Sequence, residues 1–320
     1  MKFLARRVGQ SLITLLTISF FSFLLLQWAP GSYFDALRMN PHVSAQTAET
    51  LRAEYGMNRS FPARYASWIS SLAEGDMGVS FAYGTPVGPL LWPRARNTLL
   101  LTGSSMFLAW LLAVPLGVWA AGRKDGWLDR AISFGTSTLL VIPDLLLFLL
   151  LLLLAVRTGW IPSGGMLSPN FDEFSLWQRA ADVALHFTLP ALGLAVISLP
   201  MLLRHVRAAM IEVLDSPFIR AARGHGIPRW RLMLRYALPA ASNPLISLLG
   251  LSISTMLSAS LIVEVILSWP GLGPLMIQAI LSRDVNVVIG VIMLSSVVLL
   301  AGNLIADVLL FASDPRIRVE

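Results

Sequence analysis

The sequence predicts an all-α integral membrane protein of six transmembrane helices, with a small external subdomain after the first helix. Three observations carry this. The 320 residues are 56% hydrophobic and only 13% charged, against roughly 45–50% apolar and 25% charged in an average soluble domain. Six apolar runs reach or approach the roughly 20 residues that cross a hydrocarbon core about 30 Å thick, and backbone groups in lipid must be satisfied within the segment, so these runs must be helices. Fifteen of the 24 lysines and arginines fall in residues 2–7, 123–130, 204–235 and 316–318, which by the positive-inside rule puts both termini in the cytoplasm.

The first run, Val8–Ala29, follows Lys2, Arg6 and Arg7 and holds 22 uncharged residues. A signal-peptide core has roughly 7–15, so this run reads as a retained span. Residues 31–97 are too long for a plain connection and too polar for lipid, so they carry structure of their own. Within them Ser44–Tyr55 and Pro62–Leu72 have helical spacing, and Gly75, Gly78, Gly84 and Pro86 mark turns. Thr98–Ala121 and Ala131–Val156 are the second and third spans. The fourth, Phe187–Leu203, has 17 residues and contains Pro190 and Pro200, so it must borrow length from His205–Met210 or be kinked. Pro244–Leu267 and Val285–Phe311 complete the set. The expected organisation is an N-terminal helix in 1–30, the subdomain in 31–97, a transmembrane core in 98–311 and a cytoplasmic tail in 312–320.

Composition also excludes chemistry. There is no cysteine, hence no disulfide, thiolate metal site or cysteine nucleophile. The net charge of +6 comes from arginines lying between apolar runs, which topology explains better than nucleic acid does. His42, His186, His205 and His225 are dispersed, show no metal-ligand spacing and read as surface or interfacial residues. A phosphate-cradling loop needs G-x-x-x-x-G-K-[ST], and the nearest approach, Gly117 to Lys124, does not fit it. No internal repeat stands out, which weighs against secondary transporters built from inverted repeats.

The informative stretch is the loop 204–239. Ser216 is placed as an N-cap with Pro217 at the first helical position, Gly224 or Gly226 as a left-handed stop, and Pro228 as the start of a second helix. The result is a short helix bent across the membrane surface. Phe218 and Ile219 offer an apolar anchor for a partner's groove, while Ala221, Ala222 and Gly224 allow close backbone approach. The basic loop equally suits an amphipathic helix lying on anionic lipid, and the residues alone leave both readings open. Asp144 lies inside the third run, where a carboxylate against lipid costs at least about 2.5 kcal/mol. It is therefore a candidate for lining a translocation pathway, the alternatives being protonation or a hydrogen bond to a nearby Ser or Thr. Glu264 and Asp307 sit near the ends of the fifth and sixth spans, where water and arginines can reach them.

The stretch Arg220–Pro239 resembles the EAA loop of bacterial ABC-importer permeases, whose pattern is E-A-A, three residues, G, nine residues, I-x-L-P. Ala221, Ala222, Gly226, Leu238 and Pro239 fall on pattern positions, while Arg220 replaces the acidic residue and Tyr236 the isoleucine. Nearly end to end the chain looks like the dipeptide, oligopeptide and nickel permease family. The segments that carry this are Ala29-Pro30-Gly31, Leu51–Gly56, Gly75–Gly78, Leu261–Glu264, Trp269–Gly273, Gln278–Asp284 and Asp314–Arg318. Departures occur at Ser32-Tyr33 and at Asp144.

The resemblance implies a type I ABC importer permease fold with a periplasmic subdomain, in the cytoplasmic (inner) membrane of a bacterium. It implies a non-catalytic subunit that moves di- or oligopeptides, with ATP and Mg bound by two partner ATP-binding cassette subunits and no cofactor here. Further expected partners are a second homologous permease, a periplasmic or lipid-anchored solute-binding protein, and membrane lipid, with no nucleic acid. Residues Ser216–Gly226 become the ATPase-coupling helix, and Trp269, Pro270 and Gly271 an external turn that shapes a gate, alongside Asp144 and Glu264. Nickel, glutathione or another small solute is an alternative cargo. A stand-alone secondary transporter or channel is the alternative of another class.

Overall fold

The computed structural model describes residues 2–28, 31–39 and 43–313. The expected motif residues Ala29-Pro30, His42 and Asp314–Arg318 lie outside them. In chain order the helices are α1 (Lys2–Trp28), α2 (Tyr33–Arg38), α3 (Ala45–Glu54), α4 (Phe61–Ala73), α5 (Val87–Gly122), α6 (Trp127–Val141), α7 (Asp144–Thr158), α8 (Leu176–Leu214) and α9 (Pro217–Gly224). Then α10 (Arg229–Arg231) runs through a π-helical stretch, Leu232–Ala237, into α11 (Leu238–Ala240), followed by α12 (Ser242–Ile266), α13 (Leu272–Leu281) and α14 (Val285–Ser313).

Five helices, α1, α5, α8, α12 and α14, are each long and apolar enough to cross a membrane, and α6 with α7 makes a sixth span only as a pair bent by 98°. The third span expected over Ala131–Val156 is therefore broken in its middle. The cause is local: Ile142 precedes a proline and is forced out of the helical region to ψ 120, and Pro143 cannot donate the next helical bond. The fourth span is the opposite case. α8 continues for 39 residues through Pro190 and Pro200, about 58 Å at 1.5 Å per residue, so the short apolar stretch takes length from both flanks. Its start is fixed by Ser175 and Gln178, which cap it reciprocally. α13 was not expected at all. It is a largely apolar helix of 10 residues, about 15 Å long and too short to span.

Two compact units result, Met1–Asn97 with Pro270–Leu300, and Thr98–Trp269 with Ala301–Glu320. In the first, Phe20 and Phe23 of α1 meet Phe61 and Tyr65 of α4 edge-on, and Ser19 shares a 2.9 Å hydrogen bond with Tyr65. α3 and α4 fall where the sequence places them, with Ser44 capping Thr47 N–H at 3.0 Å. The turn residues 78–86 are fastened to the α13–α14 corner. Asp284 is fully buried and accepts from Ser80 Oγ at 2.5 Å and from Ala82 N–H at 3.0 Å. Asn286 donates to the Val79 carbonyl at 2.7 Å, and Asn97 to that of Pro270 at 2.9 Å.

In the second unit, one cluster gathers Phe148 of α7, Leu189 and Leu194 of α8, Val263 of α12 and Trp269 of the turn after α12. Helices approach closely where one of them lacks a side chain. A Cβ on Gly117 would stand 2.7 Å from Val206 Cγ1, and one on Gly302 would stand 2.7 Å from Ile253. Lipid gives helices no hydrophobic reason to associate, so such small-residue crossings supply the packing.

Candidate functional site

The loop after α8 folds as its residues dictate. Asp215 caps α8, and Ser216 is extended at φ −72, ψ 152, with its hydroxyl turned back to the Val213 carbonyl at 2.5 Å. Its side chain therefore does not cap α9, and Pro217, which has no N–H to satisfy, opens the helix instead. At the far end Gly224 is the last helical residue, and Gly226 takes the left-handed conformation at φ 75. That resolves the choice between the two glycines in favour of Gly226 as the stop.

α9 presents two faces. Ile219 is fully buried, packed with Val206, Met210, Leu232 and Ala237, and Ala222 and Leu238 pad the same cluster. This corrects the expected anchor pair: Ile219 faces inward and cannot enter a partner's groove. Phe218, 49% exposed, remains outside with Arg220, Ala221, Arg223 and Gly224. Pro239 is exposed and receives Ser242 Oγ on its carbonyl at 2.7 Å. The two halves of the sequence motif are thus brought together around one apolar plug.

Beside α9 lies a cavity of about 470 Å³, lined in part by Arg123, Lys124, Arg223 and Arg229, with Asp215 the carboxylate on its wall. Lys124 Nζ is 3.8 Å from Asp215 Oδ2 with both groups exposed, a pair worth little in water. The wall of this cavity is therefore mainly cationic, and Phe218 stands exposed on α9. Gly117–Lys124, the nearest approach to a phosphate loop, instead forms the end of α5 and the turn after it.

Sequence reasoning missed a strut behind this surface. Asp129 of α6, 2% exposed, is gripped by Arg207 of α8 and also accepts Asp125 N–H at 2.9 Å. An acidic residue in a helix's first turn opposite a mid-helix arginine was the available signal.

The residues expected to line a pathway do not share a surface. Asp144 stands exposed in the first turn of α7, after the Pro143 break rather than within a helix. Glu264 is fully buried and so lacks the expected access to water, and Asp307 is half-buried. Trp269 is 1% exposed, edge-on to Phe187 at 5.6 Å, with its N–H on the Glu264 carbonyl at 2.8 Å. It is a core anchor rather than the rim of an external turn. Pro270 is half-buried, Gly271 is the N-cap of α13, and Leu272 and Gly273 are already helical. Of the histidines, His205 and His225 are exposed as expected. His186 is instead buried, with Nδ1 2.9 Å from the Asp182 carbonyl.

Comparison with known proteins gives a consistent result. Residues 113–319 match the family described as binding-protein-dependent transport system inner membrane component. Residues 1–92 match the N-terminal region of such membrane components. The oligopeptide transport system permease protein AppB of Bacillus subtilis (strain 168) is 36% identical over 318 residues, 99% of each chain. OppB of Mycobacterium tuberculosis (strain ATCC 25618 / H37Rv), also an oligopeptide transport system permease protein, is 31% identical over 325 residues, covering 100% of this chain and 99% of its own. Among solved structures, a chain of the inward-facing MetNI methionine ABC transporter superposes with a TM-score of 0.58 at 21% identity, covering 70% of this chain and 96% of its own. That likeness extends the agreement to the fold.

Proposed function

Because this chain belongs to the family of binding-protein-dependent transport system inner membrane components, we propose that it is a permease subunit of an ATP-driven importer that carries oligopeptides into the cell. As a family member it is a multi-pass protein of the inner membrane that works with ATPase and solute-binding partners. The single observation that carries the peptide cargo is the end-to-end match to two oligopeptide permeases. In this reading two ATP-binding cassette subunits bind ATP and Mg, a second related permease completes the pore, and a solute-binding protein delivers the peptide on the opposite face. Both termini and α9 then lie in the cytoplasm.

The geometry around α9 supports a coupling role for Ser216–Gly226. An ATPase engaging Phe218 and the surrounding arginines pushes on a helix whose other face, Ile219, is set among residues of α5, α8, the π-helical stretch and the start of α12. A close-packed interior does not compress, so displacement of α9 moves those helices together. Arg207 and Asp129 extend the same movement to α6. Alternating access is the outcome at the interface with the second permease.

The test is uptake of labelled oligopeptides by proteoliposomes holding the chain with its co-encoded partner subunits and solute receptor. ATP-dependent accumulation of peptide is expected. Uptake without ATP would sink the importer reading, and ATP-dependent uptake of a metal chelate or glutathione in place of peptides would sink the cargo.

A further inference from the structure

Two cavities of the first unit follow one another along the same pair of helices. One, of about 560 Å³, lies beside the last turns of α1 at Phe23, Leu26 and Gln27 and the first turn of α14 at Val285 and Val288. The other, of about 270 Å³, is lined by apolar surface alone and lies against Leu12–Ser19 of α1 and Met293–Val297 of α14. From Leu26 to Leu16 on α1, and from Val285 to Leu294 on α14, the offset is about 14–15 Å in the same sense. The first cavity therefore sits at the ends of two spans, and the second sits deeper along them.

Their chemistry differs accordingly. The cavity at the span ends is walled by Arg52, Arg59, Arg64 and Arg283, with Asp35 as its carboxylate. Asp35 is already engaged by Ser32 N–H and Oγ, both at 2.7 Å, and lies 3.7 Å from Arg52. The Nε atoms of Arg52 and Arg64 are buried without a hydrogen-bond acceptor, and each such donor costs about 1–3 kcal/mol unless something accepts from it. Among the described residues neither Arg59 nor Arg283 has a carboxylate within ion-pair distance. Trp68 and Tyr55 add amphipathic rings to the wall, of the kind that collects at the level of lipid headgroups. Four guanidiniums facing one carboxylate need an anion, and an apolar slot next in line along the spans fits a hydrocarbon chain.

We infer that this unit holds one anionic phospholipid, its phosphate among Arg52, Arg59, Arg64 and Arg283 and an acyl chain along Leu12, Leu16, Leu72 and Leu294. The assignment is independent of the transported cargo. An oxyanion without a tail leaves the deeper slot empty, and a zwitterionic lipid brings its own cation to a wall that is already cationic.

The test uses the full-length chain purified in detergent, with retained lipid measured by native mass spectrometry and thermal unfolding measured with added lipid or salt. About one phosphatidylglycerol per chain is expected to be retained and to raise the unfolding temperature, with phosphatidylethanolamine retained less. Arg283→Gln and Arg59→Gln change exposed side chains, and each is expected to weaken retention about fivefold, the worth of one arginine at a charged membrane surface. Val297→Trp, which fills the deeper slot, is expected to lower retention while leaving the arginines in place. Equal retention of phosphatidylethanolamine overturns the proposal, as does stabilisation by inorganic phosphate equal to that by phosphatidylglycerol. So does undiminished retention by either arginine variant when its circular dichroism matches the parent.

Discussion

Arg207 holds Asp129 through two parallel hydrogen bonds, Nε to Oδ1 at 2.5 Å and Nη2 to Oδ2 at 2.7 Å, and so ties α8 to α6. The carboxylate is 2% exposed, so removing its partner leaves a buried charge without compensation. Arg207→Met is expected to cost about 3 kcal/mol of stability, with Asp129→Asn combined with Arg207→Met costing less than the two changes summed. Thermal unfolding of the purified full chain and its three variants measures this. An unchanged unfolding temperature in Arg207→Met means that the pair ties nothing.

Asp284 plays the corresponding part in the other unit. Besides Ser80 and Ala82 it receives Val287 N–H at 3.3 Å, so one buried carboxylate starts α14 and fastens the turn before α5. Asp284→Ala strands the Ser80 and Val287 donors, both in fully buried residues, and a loss of about 3 kcal/mol is expected. Ser80→Ala removes one of these donors together with the Oγ that accepts Tyr83 N–H at 3.0 Å, and leaves the Ala82 and Val287 bonds, so it should cost less, about 1–2 kcal/mol. Limited proteolysis between Gly75 and Pro86 gives a second readout, because that segment is released when its anchor goes.

Much of this architecture was legible because a span's requirement is simple. An apolar run of sufficient length has one structural answer, and the Ser44 start and the Pro217 entry with the Gly226 exit follow from backbone rules that act within a few residues. What stayed hidden depends on relations between distant segments. Hydropathy is uniform across Ile142-Pro143, so the run reads as one span although Pro143 bends it. The apolar residues of α13 are too few to announce themselves beside true spans. Phe218 and Ile219 look interchangeable in composition, and only the helix phase and the plug from Leu232 and Ala237 separate them. Trp269 in a Pro-Gly turn suggested a rim, yet Phe187 and the α7–α8–α12 cluster draw it inside.

That separation predicts opposite phenotypes for neighbouring residues. Phe218→Ala removes an exposed ring and should leave stability within about 0.5 kcal/mol of the parent, while copurification of the ATPase subunits falls sharply. Ile219→Ala empties a fully buried position and should cost about 2–4 kcal/mol. Where the Ile219→Ala complex still assembles, ATP hydrolysis should lose its stimulation by substrate. Reversed results, with Phe218→Ala destabilised and Ile219→Ala deficient only in partner binding, would contradict the assignment of the two faces.

Gly226 tests the coupling idea by conformation alone. A Cβ at this position meets nothing within 4 Å, yet the backbone is held at φ 75, where a branched side chain is strained by about 1–2 kcal/mol and Asn is tolerated better. Gly226→Val should therefore leave the fold in place and shift the exit of α9, lowering peptide transport and substrate-stimulated ATP hydrolysis together. Gly226→Asn should retain most of both, since it can adopt the same left-handed turn. Loss in both variants alike would point to the missing hydrogen at the surface rather than to the turn. Unaltered transport in Gly226→Val would remove the α9 exit from the path by which ATPase movement reaches the spans.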